Sequence, residues 1–184
     1  MVLTKTPICN FGEKAHDFNL KGIDEKNYNL EDCIGKNGVI IMFICNHCPY
    51  VKAIIKDLVK DTKDLMKFGI NSVAIMSNDT INYPEDSFEN MKLFAKQNDF
   101  NFPYLIDEKQ ETAKKYGAVC TPDFFGYNHE LKLQYRGRFR ELKELTPLKN
   151  GESELKMAMK LIAKSQNGPK EQLPSMGCNI KWAK

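Results

Sequence analysis

Residues 39–66 contain an apolar run, a cysteine pair and an amphipathic pattern in direct succession. The run VIIMFI at 39–44 is typical of a central parallel strand that is covered on both faces. CNHC follows at 45–48, and Pro49 suits a first helical turn, where the missing N–H costs nothing. Apolar residues then recur at helical spacing: Val51, Ile54, Ile55, Leu58, Val59, Leu65 and Met66. The pattern predicts a buried strand that ends at two cysteines and leads straight into a helix.

The rest of the chain continues this alternation of strands and helices. We predict a hairpin in 15–32, a strand at 70–77, a helix from Ser87 to about Asn98, a strand at 102–107, a helix over 109–117 ending on Gly117, a hairpin around Asn128-His129 and a helix at 152–164. The order predicts an α/β fold with a mixed sheet. We expect one domain over residues 1–164 and an extended tail over 165–184 that packs back on it.

Charge and hydropathy narrow the classes of partner. The net charge is +3 with lysines and acids interspersed, so no basic stripe indicates nucleic acid. The longest apolar run is too short to cross a membrane, and the N-terminus has no signal-like apolar segment. We therefore expect a cytoplasmic protein. There, structural disulfides are rare, so a cysteine pair is more often catalytic or metal-binding.

The predicted junction suits thiol chemistry. Unpaired N–H groups and the helix dipole stabilise a thiolate at a helix N-terminus. We expect Cys45 at an exposed lip as the attacking thiol. Cys48 should lie one turn into the helix, more buried, and resolve the mixed disulfide. Protonated His47 would stabilise the thiolate form and make the disulfide more oxidising.

A zinc or iron–sulfur site is the main alternative, and it would need two further ligands. Cys120 and Cys178 stand singly in the sequence, so a metal-binding thiol module built from Cys45, Cys48, Cys120 and Cys178 is the less favoured hypothesis. We expect neither a metal nor another cofactor.

Thr121-Pro122 precedes a predicted strand and is a candidate for a cis peptide bond. The alternative is an ordinary proline on an edge strand.

Taken together, the chain resembles the thioredoxin superfamily in its strand, CxxC and helix, and in Thr121-Pro122 about seventy residues later. MFICNHCPYV, SNDTINYPEDSFENM, PYLIDEKQETAKKYGAVCTPDFF and PSMGCNIKW are similar to an uncharacterised peroxiredoxin-like family within it, over nearly the whole chain. The resemblance implies a thioredoxin-like fold, a central mixed sheet with an N-terminal hairpin extension, and a cis Pro122 that faces the cysteines.

The resemblance and the cysteine pair predict a thiol–disulfide oxidoreductase, in which the Thr121-Pro122 backbone docks an extended substrate by strand-like pairing. The alternative is a thiol peroxidase that reduces hydroperoxides, with Cys48 as peroxidatic thiol and Cys45 resolving. The expected partner is accordingly a thiol or disulfide protein, or a hydroperoxide. The protein would be a monomer or a homodimer.

Three positions depart from the related families. Thioredoxins place a buried Asp where this chain has Val39, so His47 or a water would have to accept the Cys48 proton. The conserved Pro and Thr of peroxiredoxins are replaced by Ile41 and Cys45, which weakens the peroxidase interpretation.

The remaining cysteines have weaker signals. Cys120 and Cys178 are candidate accessory thiols, but each could equally be a packing residue. Cys9 and Cys33 are interpreted as packing or surface thiols. Trp182 is expected to anchor the tail as an apolar plug.

Two polar segments complete the predictions. We expect the acidic segment at 82–91 to be a solvated loop. Arg136, Arg138 and Arg140 alternate and should share one face of a strand. That face is interpreted as a solvated edge, with an anion contact as the alternative.

Overall fold

The computed structural model describes residues 3–7, 10–148 and 150–184 of the chain. Cys9 lies outside these ranges. The strands are β1 Leu3–Lys5, β2 Asn19–Gly22, β3 Asn27–Asn29, β4 Gly38–Phe43, β5 Ile70–Met76, β6 Tyr104–Ile106, β7 Cys120–Thr121, β8 Asp123–Asn128, β9 Leu133–Arg136, β10 Leu142–Lys143, β11 Thr146–Pro147 and β12 Met176–Asn179. The helices are α1 Pro49–Met66, α2 Phe88–Gln97, α3 Glu111–Tyr116 and α4 Glu154–Ser165.

The central sheet is mixed. One group of strands has the order β3-β2-β6-β5, with β5 parallel to β6 and the other pairs antiparallel. The second group has the order β4-β8-β9 and is antiparallel. The Ile44 N–H donates to the Ile75 carbonyl at 3.1 Å, which links the groups at the end of β4. The mixed α/β architecture confirms the predicted fold class.

Strand β4 is buried on both faces, as its apolar run predicts. Ile40 and Met42 pack into the core beneath α1 and α4, whereas Val39, Ile41 and Phe43 pack into a second core on the opposite face. Alternation of side chains along a strand explains this division. The ladder of β4 with β8 is antiparallel, whereas the apolar run predicted a parallel strand.

The helices lie close to their predicted ranges, although α3 begins at Glu111 rather than at residue 109. Ser87 Oγ accepts a hydrogen bond from the Asn90 N–H at the start of α2, and Ser153 does the same for Lys156 in α4. Helix α3 ends on Gly117, which has φ of +63°. No helix within the described ranges is long and apolar enough to cross a membrane.

The chain after α4 returns across the molecule and ends beside the sheet. Strand β12 lies between β1 and β7 and pairs antiparallel with both. Ile180 is buried just beyond it, whereas Trp182 is 40% exposed and lies under the Lys114 ammonium at 5.6 Å. The prediction of Trp182 as an apolar plug is therefore wrong, and the smaller Ile180 occupies the core position.

The three alternating arginines do not share a solvated strand edge. Arg136 is buried, forms an ion pair with Asp123 at 3.1 Å and lies over the Phe125 ring. Strand β9 ends at Arg136, so Arg138 and Arg140 follow it in irregular chain. Arg138 forms an ion pair with Glu154. Arg136, which is buried beside Asp123, is a structural cation of the core.

Candidate redox site

The cysteine pair lies where β4 ends and α1 begins. Cys48 is the N-cap residue of α1, and Cys45 lies in the connecting loop. Both are buried, with 1% and 0% of their surface exposed. The expectations that Cys45 sits at an exposed lip and Cys48 one turn into the helix are therefore wrong. Pro49 makes Cys48 the cap, because a proline is favoured at the first helical position.

Thr121 contacts both cysteines. Its Oγ1 lies 3.4 Å from Cys45 Sγ, and its carbonyl oxygen lies 3.1 Å from Cys48 Sγ. The Thr121-Pro122 bond is cis, as predicted. Strand β7 thus places the Thr121 hydroxyl against the Cys45 sulfur and the Thr121 backbone carbonyl against the Cys48 sulfur.

The C-terminal strand adds a third sulfur to the site. Cys178 is paired with Thr121 in the β12–β7 register, and its Sγ lies 2.9 Å from Cys48 Sγ. The tail therefore folds back over the cysteine pair. It also occupies the edge of Thr121 that was predicted to dock an extended substrate. That docking prediction is wrong for this conformation.

Cys120 belongs to the same strand but has different surroundings. Its Sγ lies 3.6 Å from the Pro122 carbonyl oxygen, and its register partner in β12 is Asn179. Burial raises the pKa of the Cys120 thiol well above its ordinary value. Consecutive strand residues point to opposite faces, which separates Cys120 from the sulfur that contacts Cys48.

A buried carboxylate supports the loop between the two cysteines. Asp86 has 0% of its surface exposed; it accepts the Asn46 N–H at 2.8 Å and lies 2.7 Å from His47 Nδ1. Asn78 donates to the same carboxylate at 2.7 Å. Asp86 comes from the acidic segment at 82–91, so the prediction of a solvated loop is wrong at this residue. The segment contains several acidic residues, and the sequence gives no signal of which one is buried.

His47 is held by this carboxylate and remains partly accessible. Its side chain is 22% exposed. Its ring stacks on the Tyr83 ring with nearly parallel planes, and the two ring centroids lie 6.1 Å apart. The hydrogen bond to Asp86 raises the pKa of His47, although burial opposes this. Burial would also raise the pKa of Asp86, but its hydrogen bonds to His47 and Asn78 hold it below its ordinary value.

The two cysteines differ in their electrostatic surroundings. Hydrogen bonding from Cys45 lowers the pKa of Cys48 to about 5, against the opposing effect of burial. The Cys178 thiol, the Val51 N–H and Thr121 act in the same direction. The pKa of Cys45 is raised by its hydrogen bond to Cys48, by burial and by the charge of Asp86. These effects favour the thiolate form at Cys48 over the thiolate form at Cys45.

Potential metal ligands form a group different from the predicted one. The ligand atoms of Cys45, His47 and Asp86 all lie within 4.8 Å of one another. Of the predicted set, Cys48 and Cys178 are in contact, whereas Cys120 contacts the Pro122 carbonyl. Val39 packs in the apolar core and supplies no acid to Cys48.

Residues 11–139 match the model of the AhpC/TSA family. The chain belongs to this family. The crystal structure of an uncharacterised conserved protein from Geobacillus kaustophilus is similar at 40% identity, with a TM-score of 0.91 over 100% of this chain and 97% of that one. The thiol-disulfide oxidoreductase ResA of Bacillus thuringiensis is 27% identical over 155 residues, which cover 78% of this chain and 83% of that protein.

A more distant structure identifies the fold of this AhpC/TSA protein. The thioredoxin domain of a thiol-disulfide oxidoreductase from Bacteroides vulgatus superposes with a TM-score of 0.59 at 14% identity, over 70% of this chain and 89% of that one. The fold is thioredoxin-like, and the resemblance stated from the sequence is confirmed. The AhpC/TSA family and the ResA match indicate a redox protein of the peroxiredoxin-like and thiol–disulfide oxidoreductase group.

Proposed function

We propose that this AhpC/TSA-family protein is a thiol–disulfide oxidoreductase in which Cys45 and Cys48 cycle between dithiol and disulfide. One observation carries the proposal. Two thiols lie against Thr121 at a helix N-terminus, and the surroundings lower the pKa of Cys48 to about 5. A thiolate is the reactive form of cysteine in disulfide exchange.

In the proposed reaction the Cys48 thiolate attacks a substrate disulfide. A bond forms between Cys48 and one substrate sulfur, and the other substrate sulfur leaves as a thiolate. Cys45 then attacks Cys48 and releases the second substrate thiol, so the substrate gains two electrons and the cysteine pair becomes a disulfide. This order reverses the sequence prediction of Cys45 attacking and Cys48 resolving, because the hydrogen bond to Cys48, burial and the charge of Asp86 all disfavour a Cys45 thiolate.

In this scheme His47 is the protonated group that Asp86 holds beside the Cys48 thiolate. Its interaction with the Cys48 thiolate is one of the causes that raise the pKa of His47, so the two charges stabilise each other. Stabilising the thiolate favours the reduced state and makes the disulfide a stronger oxidant. The partly exposed ring also marks the side from which a substrate approaches, since β12 covers the Thr121 edge. A cytoplasmic location stays a prediction.

The test is rapid-quench alkylation with peptide mass mapping after one equivalent of oxidised glutathione. Reduced wild type should capture glutathione on Cys48 and then close the Cys45–Cys48 bond. Cys48→Ser should lose capture, and Cys45→Ser should retain it on Cys48. Cys33→Ser is the matched control, because Cys33 is buried in the opposite core. Capture on Cys45 in Cys48→Ser at the wild-type rate would reverse the proposed order, and no capture in wild type would exclude the function.

A thiol peroxidase is the second candidate, and the Cys48 thiolate directly before Pro49 favours it. The thiolate would attack a hydroperoxide O–O bond, forming a Cys48 sulfenic acid and releasing an alcohol or water. Cys45 would then attack the sulfenic acid sulfur, release its oxygen as water and close the disulfide. A rate of peroxide consumption no faster than that of free cysteine would exclude this candidate.

A further inference from the structure

Strand β12 holds Cys178 against both Thr121 and Cys48. In the antiparallel register Cys178 faces Thr121, the residue before the cis proline. Its Sγ lies 2.9 Å from Cys48 Sγ, while the Thr121 carbonyl contacts the same Cys48 sulfur. The pairing of β12 with β7 and the sulfur–sulfur contact therefore both position the Cys178 thiol against Cys48.

Two side chains, those of Gln110 and Asn78, hold the segment that follows Cys178. Gln110 Nε2 donates to the Lys181 carbonyl at 2.8 Å, and Gln110 Oε1 accepts the Ala183 N–H at 2.8 Å. Asn78 Oδ1 accepts the Lys181 N–H at 2.8 Å, and Asn78 also donates to Asp86. The same residue thus joins the tail to the carboxylate that holds His47.

The fit of β12 against β7 depends on Gly177. A Cβ at this position would lie 2.0 Å from the Thr121 carbonyl oxygen, closer than any side-chain carbon can approach. Only glycine allows the backbone next to Cys178 to reach Thr121. The close approach places the thiol in contact with Cys48.

We propose that Cys178 is a third redox thiol, which displaces Cys45 from the Cys45–Cys48 disulfide and forms a disulfide with Cys48. The inference rests on the proposed function. The Cys178 sulfur attacks Cys48, a Cys48–Cys178 bond forms, and the Cys45–Cys48 bond breaks. Cys45 leaves as a thiolate and receives the proton that Cys178 loses. The step is an exchange in which the protein's redox state is unchanged, so it needs no further oxidant or reductant.

The charges around Cys178 favour this sequence of events. In the reduced protein, burial together with the hydrogen bond and charge of Cys48 raises the pKa of Cys178 to about 12, so it stays a thiol. Formation of the Cys45–Cys48 bond removes the Cys48 negative charge. The nearby Lys181 cation, which lowers the pKa of Cys178, then acts without that opposition. Cys178 becomes a nucleophile only after the pair is oxidised.

The three sulfurs would therefore have different roles in the oxidised protein. The Cys48–Cys178 disulfide stores the oxidising equivalents, and Cys45 returns as a thiol. A dithiol reductant would then have to reduce the Cys48–Cys178 bond to restart the cycle. The resting oxidised form would thus differ from that of a two-cysteine oxidoreductase.

The experiment oxidises full-length protein with one equivalent of oxidised glutathione, quenches at a series of times and maps disulfide-linked peptides without reduction. Wild type should first yield the Cys45–Cys48 peptide and later the Cys48–Cys178 peptide. Cys45→Ser should pass directly from glutathionylated Cys48 to the Cys48–Cys178 bond. Cys178→Ser should stop at Cys45–Cys48. Cys120→Ser is the matched control, since this buried thiol lies in the paired strand and should leave the wild-type course unchanged.

The outcomes separate the two proposals. If wild type keeps only the Cys45–Cys48 bond and Cys48 in Cys45→Ser keeps its glutathione, the third thiol is excluded while the oxidoreductase function stands. If Cys178→Ser forms no Cys45–Cys48 bond although circular dichroism shows it folded, the proposed function fails instead. The Cys45→Ser variant keeps the question decidable if Cys178→Ser does not fold.

Discussion

His47 Nδ1 and the Asp86 carboxylate form a 2.7 Å contact between the loop of the cysteine pair and the turn before α2. The two residues are 39 positions apart in the sequence. Because Asp86 also accepts the Asn46 N–H, a single buried carboxylate fixes both residues that separate the cysteines. This relationship determines the charge beside the thiols and leads to the first prediction.

Asp86→Asn should lower the pKa of His47 towards its ordinary value, because the largest cause of its elevation is removed. An amide has one accepting oxygen and an NH2 group in place of the other, so one of these contacts is lost and a loss of about 1–3 kcal/mol in stability is expected. NMR titration of the His47 ring and urea unfolding would measure both. Glu89→Gln is the matched control, because Glu89 lies on the exposed face of α2 beside Lys92, and it should leave both values nearly unchanged. An unshifted His47 titration in Asp86→Asn would contradict the contact.

The same pair predicts a pH dependence. The folded-state pKa of His47 lies above the unfolded value, so its stabilisation is complete below the unfolded pKa and is lost as pH rises through the folded pKa. The stability difference between wild type and His47→Gln should therefore shrink over that rise. Unfolding curves measured at pH values on both sides of neutrality would show it, and a difference that grows with pH would have the wrong sign.

Cys48 should titrate as an acid with a pKa of about 5 in the reduced protein. Thiolate absorbance at 240 nm is expected to appear near that pH, and Cys45→Ala should shift the midpoint upwards because the main stabilising donor is lost. Because the folded value lies below the ordinary 9.0, the free energy of unfolding should rise with pH between these values, relative to Cys48→Ala. A midpoint above 8 in wild type would exclude the assigned thiolate.

Arg136→Met should destabilise the protein by about 3–5 kcal/mol, because it leaves the buried Asp123 charge without its partner. Burial already raises the pKa of Asp123 to about 6 despite Arg136. Arg138→Met is the control: its partly exposed ion pair with Glu154 should be worth about 0–1 kcal/mol. Equal losses in urea unfolding of the two variants would show that the buried pair has no special role.

Gly177→Ala should displace β12 from Thr121 and cost about 1–3 kcal/mol, as expected for overpacking. Iodoacetamide should then alkylate Cys48 faster, because the covering strand no longer shields it. Met176→Ala tests the same strand at an exposed position and should leave alkylation at the wild-type rate. Unchanged protection of Cys48 in Gly177→Ala would indicate that β12 does not cover the site.

The acidic segment shows the limit of pattern-based prediction. Its helix was predictable, because Ser87 carries a capping signal. The burial of Asp86 was not, since an acidic residue in a polar loop is ordinarily solvated and its partners come from distant segments. Likewise, the alternation of Arg136 with its neighbours indicates a face but does not tell whether that face is covered.

The sequence by itself indicated the main alternation of strands and helices, the cysteine pair at the β4–α1 junction and Thr121-Pro122 as a candidate for a cis bond. These features follow from local periodicity, capping residues and a motif whose spacing is fixed along the chain. Only the tertiary structure decided that Asp86 holds His47, that both cysteines are buried and that Cys178 contacts Cys48. Such contacts join residues up to 130 positions apart, and they depend on strand register and on close backbone approach, which no local pattern encodes.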